Sequence, residues 1–179
     1  MRRLTALMMG AVLMAGLIAS PAVAKGDKAP GDQSIVEIAA GNPNFSTLVS
    51  LVVFAELDGV LANDGQFTVF APTNDAFDAL IEGLVDAIGA EATAALLSNK
   101  DFITDVLLYH VTDGRRFGNS VFNANNSKAI EMLNGDYTWS NPGGTITDGS
   151  ALTADATVVA ANISASNGVI HVIDEVLVP

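Results

Sequence analysis

Apolar positions recur first at helical and later at strand spacing along this chain. Leu48, Leu51, Val52 and Ala55 stand at i, i+3, i+4 and i+7, which predicts a helix starting near Asn44 and ended by Asp58-Gly59. Ahead of it, Ser34-Ile35-Val36-Glu37 forms a capping box for a short helix closed by Gly41. Phe67-Thr68-Val69-Phe70 is a β-branched and aromatic run after the turn signal Asn63-Asp64-Gly65, and so predicts a strand. Pro72 has no N–H and biases Ala71 toward extended geometry, so the strand stops there. Thr73 and Asn74 are both good N-caps for the next helix. Asp75 and Asp78 suit its positive end, and Ala76, Phe77 and Leu80 supply its apolar contacts. Residues 82–97 read as small helices interrupted by Gly83 and Gly89. Asp101 then caps a firmer helix with Ile103, Val106, Leu107 and His110 on one face.

Beyond Gly114 the character changes. Residues 130–133 and 136–140 flank Asn134-Gly135, the favoured two-residue hairpin turn. Asn141-Pro142-Gly143-Gly144 and Asp148-Gly149 bracket the short run Thr145-Ile146-Thr147. Residues 157–163 and 169–178 predict the last strands, split by a loop over residues 164–168. In the final strand, period two puts Val169, His171 and Ile173 on one face and Ile170, Val172 and Asp174 on the other. Helices thus precede strands, which predicts an α+β fold with antiparallel sheets.

Composition changes the picture at the N-terminus. Arg2 and Arg3 precede an apolar run over residues 4–18, and Ala22-Val23-Ala24 is a small-x-small cleavage site before Lys25. Residues 1–24 therefore read as a secretory signal peptide rather than a membrane anchor. Residues 25–33 read as a flexible polar leader, and residues 34–179 as one domain. Losing Arg2 and Arg3 takes the 8 basic residues to 6 against 20 acidic ones, and the net charge from −12 to −14. Such a surface repels nucleic acid and anionic membranes. There is no cysteine, which excludes disulfides, thiol catalysis and zinc–thiolate sites.

Three segments carry a family resemblance in order. FTVFAPTNDAF at residues 67–77, Val106-Leu107-Leu108-Tyr109-His110-Val111, and residues 167–179 resemble the signature segments of the fasciclin (FAS1) domain. The resemblance implies a wedge-shaped β-sandwich flanked by several short α-helices, with the first and last of these segments in its core. It implies an exported adhesion or interaction module, a single copy of a domain often found in tandem. The Tyr109-His110 pair matches a motif linked to adhesion in animal members. Those members also place an Asp-Ile pair where this chain has Asn162 and Ile163. The carboxylate that would reach an integrin metal is therefore missing, and these four residues are the candidate binding set.

The remaining candidate chemistry is sparse. His110 lies on an apolar face, which suits a buried imidazole held by a hydrogen bond, with Asp75 as the expected partner, more than a general base. His171 sits inside a strand pattern and reads the same way. Thr73, Asn74, Asp75, His110, Gly168 and His171 are read as structural positions of the motifs. No metal-ligand spacing, nucleophile elbow or phosphate loop is present, so no catalytic residue, metal or cofactor is assigned. Tyr137 and Trp139 alternate along a strand. They suit an aromatic face for carbohydrate or protein, or a cover for the core. Sequons at Asn44, Asn125 and Asn162 read as chance matches. The expected function is non-catalytic binding of a surface or matrix protein or polysaccharide, by a secreted or periplasmic monomer. A small-ligand carrier with a pocket near the Tyr-His helix, or a hydrolase, are the alternatives.

Overall fold

The computed structural model describes residues 31–62, 65–122, 125–150 and 152–179. The signal peptide and most of the leader read from the sequence lie outside the described residues. Helix α1 (Ile35–Ala40) opens on the expected capping box: the Ser34 hydroxyl accepts from the Glu37 N–H, and the Glu37 carboxylate from the Ser34 N–H. A 3-10 turn (Pro43–Phe45) leads into α2 (Ser46–Phe54). Asp58-Gly59 does not end that helix. Glu56 adopts a left-handed φ of 59°, the chain turns, and Asp58 opens α3 (Asp58–Ala62).

Strand β1 (Phe67–Pro72) runs directly into α4 (Asn74–Ile88), with Thr73 as N-cap. The Asn74 side chain does different work. Its Oδ1 accepts from Thr47 N–H at 3.1 Å and its Nδ2 donates to the Pro43 carbonyl at 2.9 Å, tying the start of α2 to this corner. Gly83 leaves α4 unbroken, contrary to expectation. One face buries Ala76, Phe77, Leu80 and Leu84, and that packing outweighs the roughly 1 kcal/mol an interior glycine costs. Helix α5 (Ala90–Leu97) follows, then α6 (Lys100–Leu108). The cap of α6 is Asn99 and not Asp101, its Oδ1 accepting from the N–H groups of Asp101 and Phe102.

The remaining elements are β2 (Val111–Asp113), α7 (Gly118–Val121), β3 (Lys128–Glu131), β4 (Tyr137–Asn141), β5 (Thr145–Thr147), β6 (Ala156–Ala165) and β7 (Gly168–Ile173). The β3–β4 connection is a three-residue loop, not the expected two-residue turn. Met132 N–H bonds to the Asp136 carbonyl, and Gly135, at φ 95°, donates to the Met132 carbonyl. Strand β6 runs two residues further than predicted, so only Ser166 and Asn167 join it to β7. Strand β7 ends at Ile173 rather than Val178. The last residues leave the sheet, yet Val176, Leu177 and Val178 are buried.

One seven-stranded sheet results, in the order β2-β1-β7-β6-β5-β4-β3. The α+β class stands, with one departure from an antiparallel system: β1 and β7 pair in parallel, from Phe67 opposite Gly168 to Pro72 opposite Ile173. Two bulges in β6, between Val158 and Ala160 and between Ala160 and Ile163, carry the strand from one half of the sheet to the other. The alternation predicted for the last strand is observed. Val69, Ala71, Ile170 and Val172 face a core built with α1, α2, α4 and α6. Phe70 and Ile173 face a second core with Tyr109, Ile130, Ile146 and Leu177.

Candidate functional site

Tyr109 and His110 follow α6 directly and point inward. They are 1% and 2% exposed, so neither can touch a partner at the surface. The His110 partner is not Asp75, which lies exposed in the first turn of α4. Instead its Nδ1 lies 2.7 Å from the Val106 carbonyl, and its Nε2 accepts from the Leu177 N–H at 2.9 Å. A carbonyl needs a donor and an N–H needs a lone pair, so the ring is neutral with its proton on Nδ1. The Tyr109 hydroxyl lies 3.0 Å from the Tyr137 carbonyl and 2.9 Å from that of Asp148. The Asp148 carboxylate accepts from Val178 N–H at 2.8 Å and from the Thr153 hydroxyl at 3.0 Å. The Tyr-His pair and Asp148 thus clamp the C-terminal segment into the core.

Burial pushes the His110 imidazole down to about 4, against the hydrogen bond it donates to the Val106 carbonyl and the charge of Asp148. The Tyr109 phenol rises to about 12, again chiefly by burial and then by Asp148 and Asp136. Above the unfolded value of about 6.5 both states carry a neutral His110. As pH falls below it, the unfolded chain takes a proton that the folded chain refuses. Stability should therefore fall between pH 6.5 and 4, by about 3 kcal/mol from this residue. An NMR titration should show His110 still neutral at pH 5.5; a midpoint near 6.5 would contradict the burial.

His171 is equally enclosed. Its Nε2 donates to the Arg116 carbonyl at 2.9 Å, and its Nδ1 accepts from the Asn162 N–H at 3.4 Å. It stacks on Phe70 and meets Phe122 edge-on, and burial lowers its pKa. Asn162 lies in the second bulge of β6 at φ 64°, a left-handed conformation that asparagine tolerates well. Its Oδ1 accepts from the Gly118 N–H at 2.6 Å. Ile163 is half-buried, pairs with Ile170 and packs on the helical core. The predicted binding pair therefore lies inside β6, which runs on to Ala165, rather than at the strand's last two positions. Thr73 caps α4, and Gly168 lies opposite Phe67 in β1, with no room for a Cβ beside the Phe67 carbonyl. Among the described residues no group of three His, Asp or Glu side chains converges on a metal position, and no helix is long and apolar enough to cross a membrane.

Two apolar cavities flank α2. One of about 50 Å³ is lined by Ile35, Val36, Val52 and Val69, and one of about 100 Å³ by Leu51, Phe77, Leu80 and Phe102; Leu107 and His110 border both. The surface is different on the other half of the molecule. Tyr137 and Trp139 are 48% and 43% exposed on the outer side of β4, so neither covers the core. The inner side is filled by Thr138 and Ser140. The Ser140 hydroxyl donates to Val121 and Lys128 carbonyls, at 2.6 and 3.3 Å. Sequence alternation marked the aromatic pair but could not say which face turned outward. That choice rests on Thr138 and Ser140 finding buried acceptors.

Comparison with known proteins agrees with this architecture. Residues 43–179 match the Fasciclin domain family. Protein sll1483 of Synechocystis is 43% identical over 146 residues, covering 82% of this chain and 73% of that protein. Human periostin is 28% identical over 150 residues, covering 84% of this chain but only 16% of its own length. The solved FAS1 domain pair of the insect cell adhesion molecule Fasciclin I superposes with a TM-score of 0.53 at 20% identity. That match covers 76% of this chain and 46% of the other. With the three signature segments meeting at the parallel β1–β7 pair and the Tyr-His clamp, the chain belongs to the fasciclin domain family.

Proposed function

We propose that this chain is an exported, non-catalytic fasciclin module that binds a protein or polysaccharide at the cell surface or in the matrix. The observation that carries this reading is the locking of both histidines. Each ring is a neutral, buried cross-link between backbone groups, and a general base must instead reach a substrate proton. With no cysteine in the sequence and both histidines held by backbone groups, a thiol or histidine-dependent hydrolase has no support. The carrier alternative is limited by size. The two cavities beside α2, of about 50 and 100 Å³ among the described residues, fall short of the roughly 150 Å³ that admits a benzene ring. What remains is the outer surface, and membership of a family that includes an insect cell adhesion molecule favours its use for binding. Immobilised protein spanning residues 25–179 should retain a component of its own envelope or matrix fraction reproducibly and saturably. Absence of any saturable retention, or turnover of ester or glycoside substrates lost on His110→Gln, would overturn the reading.

A further inference from the structure

The outer face of β3, β4 and β5 is built differently from the rest of the surface. Register places Glu131 opposite Tyr137, and Trp139 between Ala129 and Thr147. The chain has one tryptophan, and it stands here rather than in either core. Aromatic residues favour strands, where aromatic and β-branched side chains are the stabilising cross-strand partners. Trp139 has an alanine on one side and a threonine on the other, and it is left 43% exposed. Its edge rests on Gly149, where an added Cβ would lie 3.7 Å from the indole. Asp148 next to it is bonded to Tyr109 and Val178, so the ring is braced by the rigid part of the fold. Along one strand, positions i and i+2 stand roughly 6.7 Å apart. Tyr137 and Trp139 therefore form a short, exposed aromatic row about as long as a sugar unit in an extended glycan.

Polar groups border the row. Asn141 donates to the Thr147 hydroxyl at 2.8 Å and accepts from the Ser127 hydroxyl at 2.6 Å, which holds that flank in place. Glu131 supplies a carboxylate that can accept two hydroxyl donors at once. Among the described residues the face carries no cation: Lys128 pairs in register with Ser140 on the inner side and donates to the Ser120 carbonyl. Together with the net charge of −14 expected after signal-peptide removal, this disfavours sulfated or uronic chains. Open rings accept the C–H faces of sugars, and flanking amide and carboxylate groups accept and donate to their hydroxyls.

From this we infer that the Tyr137–Trp139 face is a binding platform for an uncharged polysaccharide. The inference rests on the reading of the chain as a binding module and narrows it to one partner class and one surface. Because Trp139 is the sole tryptophan, fluorescence excited selectively at the indole reports this site alone. The full chain from Lys25 would be titrated with cellohexaose, mannohexaose and chitohexaose, with dextran sulfate and octalysine as charged probes. At least one uncharged glycan should change the emission saturably. Trp139→Ala should weaken its retention in affinity electrophoresis by at least tenfold and Tyr137→Ala several-fold. Val60→Ala, an exposed apolar change on α3, should leave it unaltered, and all three variants should melt as the parent does. No response to any uncharged glycan, a response to octalysine or dextran sulfate alone, or undiminished retention in Trp139→Ala overturns the inference. Retention of an envelope protein unaffected by Trp139→Ala would sink this platform while leaving the binding-module reading intact. Failure of every ligand and every envelope fraction would sink both.

Discussion

Gly168→Ala is expected to destabilise the fold by about 3–5 kcal/mol, beyond the usual penalty for overpacking a core. The reason is backbone, not side chain. A Cβ at Gly168 would fall 2.1 Å from the Phe67 carbonyl oxygen and 2.7 Å from Ile35 Cδ1. Phe67 and Gly168 are register partners at the start of the parallel β1–β7 pair, so relieving the clash means opening that pair at its first rung. The neighbouring side chain offers no slack, because Asn167 is already bonded to the Ile35 N–H and the Leu61 carbonyl, at 2.9 and 2.5 Å. The same substitution elsewhere should have the opposite sign. Gly83 lies in the interior of α4 with nothing within 4 Å of an added Cβ, and Gly83→Ala should stabilise by about 0.5–1 kcal/mol. Urea denaturation of both variants decides the matter. Similar midpoints for Gly168→Ala and the parent would show that the strands can separate cheaply.

His110→Ala should cost a comparable amount, about 3–5 kcal/mol, by two additive routes. It strands the Val106 carbonyl and the Leu177 N–H in the core, each a desolvated group without its partner. It also removes the ring that borders both apolar cavities, enlarging voids that are already present. The effect should be concentrated at the C-terminus, since Leu177 and Val178 are held by His110 and Asp148 rather than by a strand ladder. Hydrogen exchange at the Leu177 amide should therefore accelerate more than exchange in β1. A variant with the parent's melting curve and unchanged Leu177 protection would mean that the clamp contributes little.

The gap between sequence and structure follows the range of the interaction. Ser34, Thr73 and Pro72 act on atoms a few residues away, so a capping box, an N-cap and a strand end could be read directly. The alternation of residues 169–173 was legible for the same reason, and it assigned Ile170 and His171 to opposite faces. Asp101 and Gly83 misled because local preference is weak. A better cap two residues earlier, or one well-packed helix face, is enough to override it. The histidine partners were invisible, since Leu177 lies 67 residues from His110, and Arg116 lies 55 from His171.

The chain by itself determined its α+β character, its fasciclin signatures, its acidity and the lack of any thiol chemistry. These depend on composition and on spacing within a few residues. Only the tertiary structure decided that the Tyr-His pair is a buried clamp, that Asn162 and Ile163 belong to a bulged strand, and that Tyr137 and Trp139 face outward. Each of those outcomes depends on which distant backbone groups satisfy a buried donor or acceptor, and that is settled only when β7 closes against β1 and the C-terminal segment packs beneath His110.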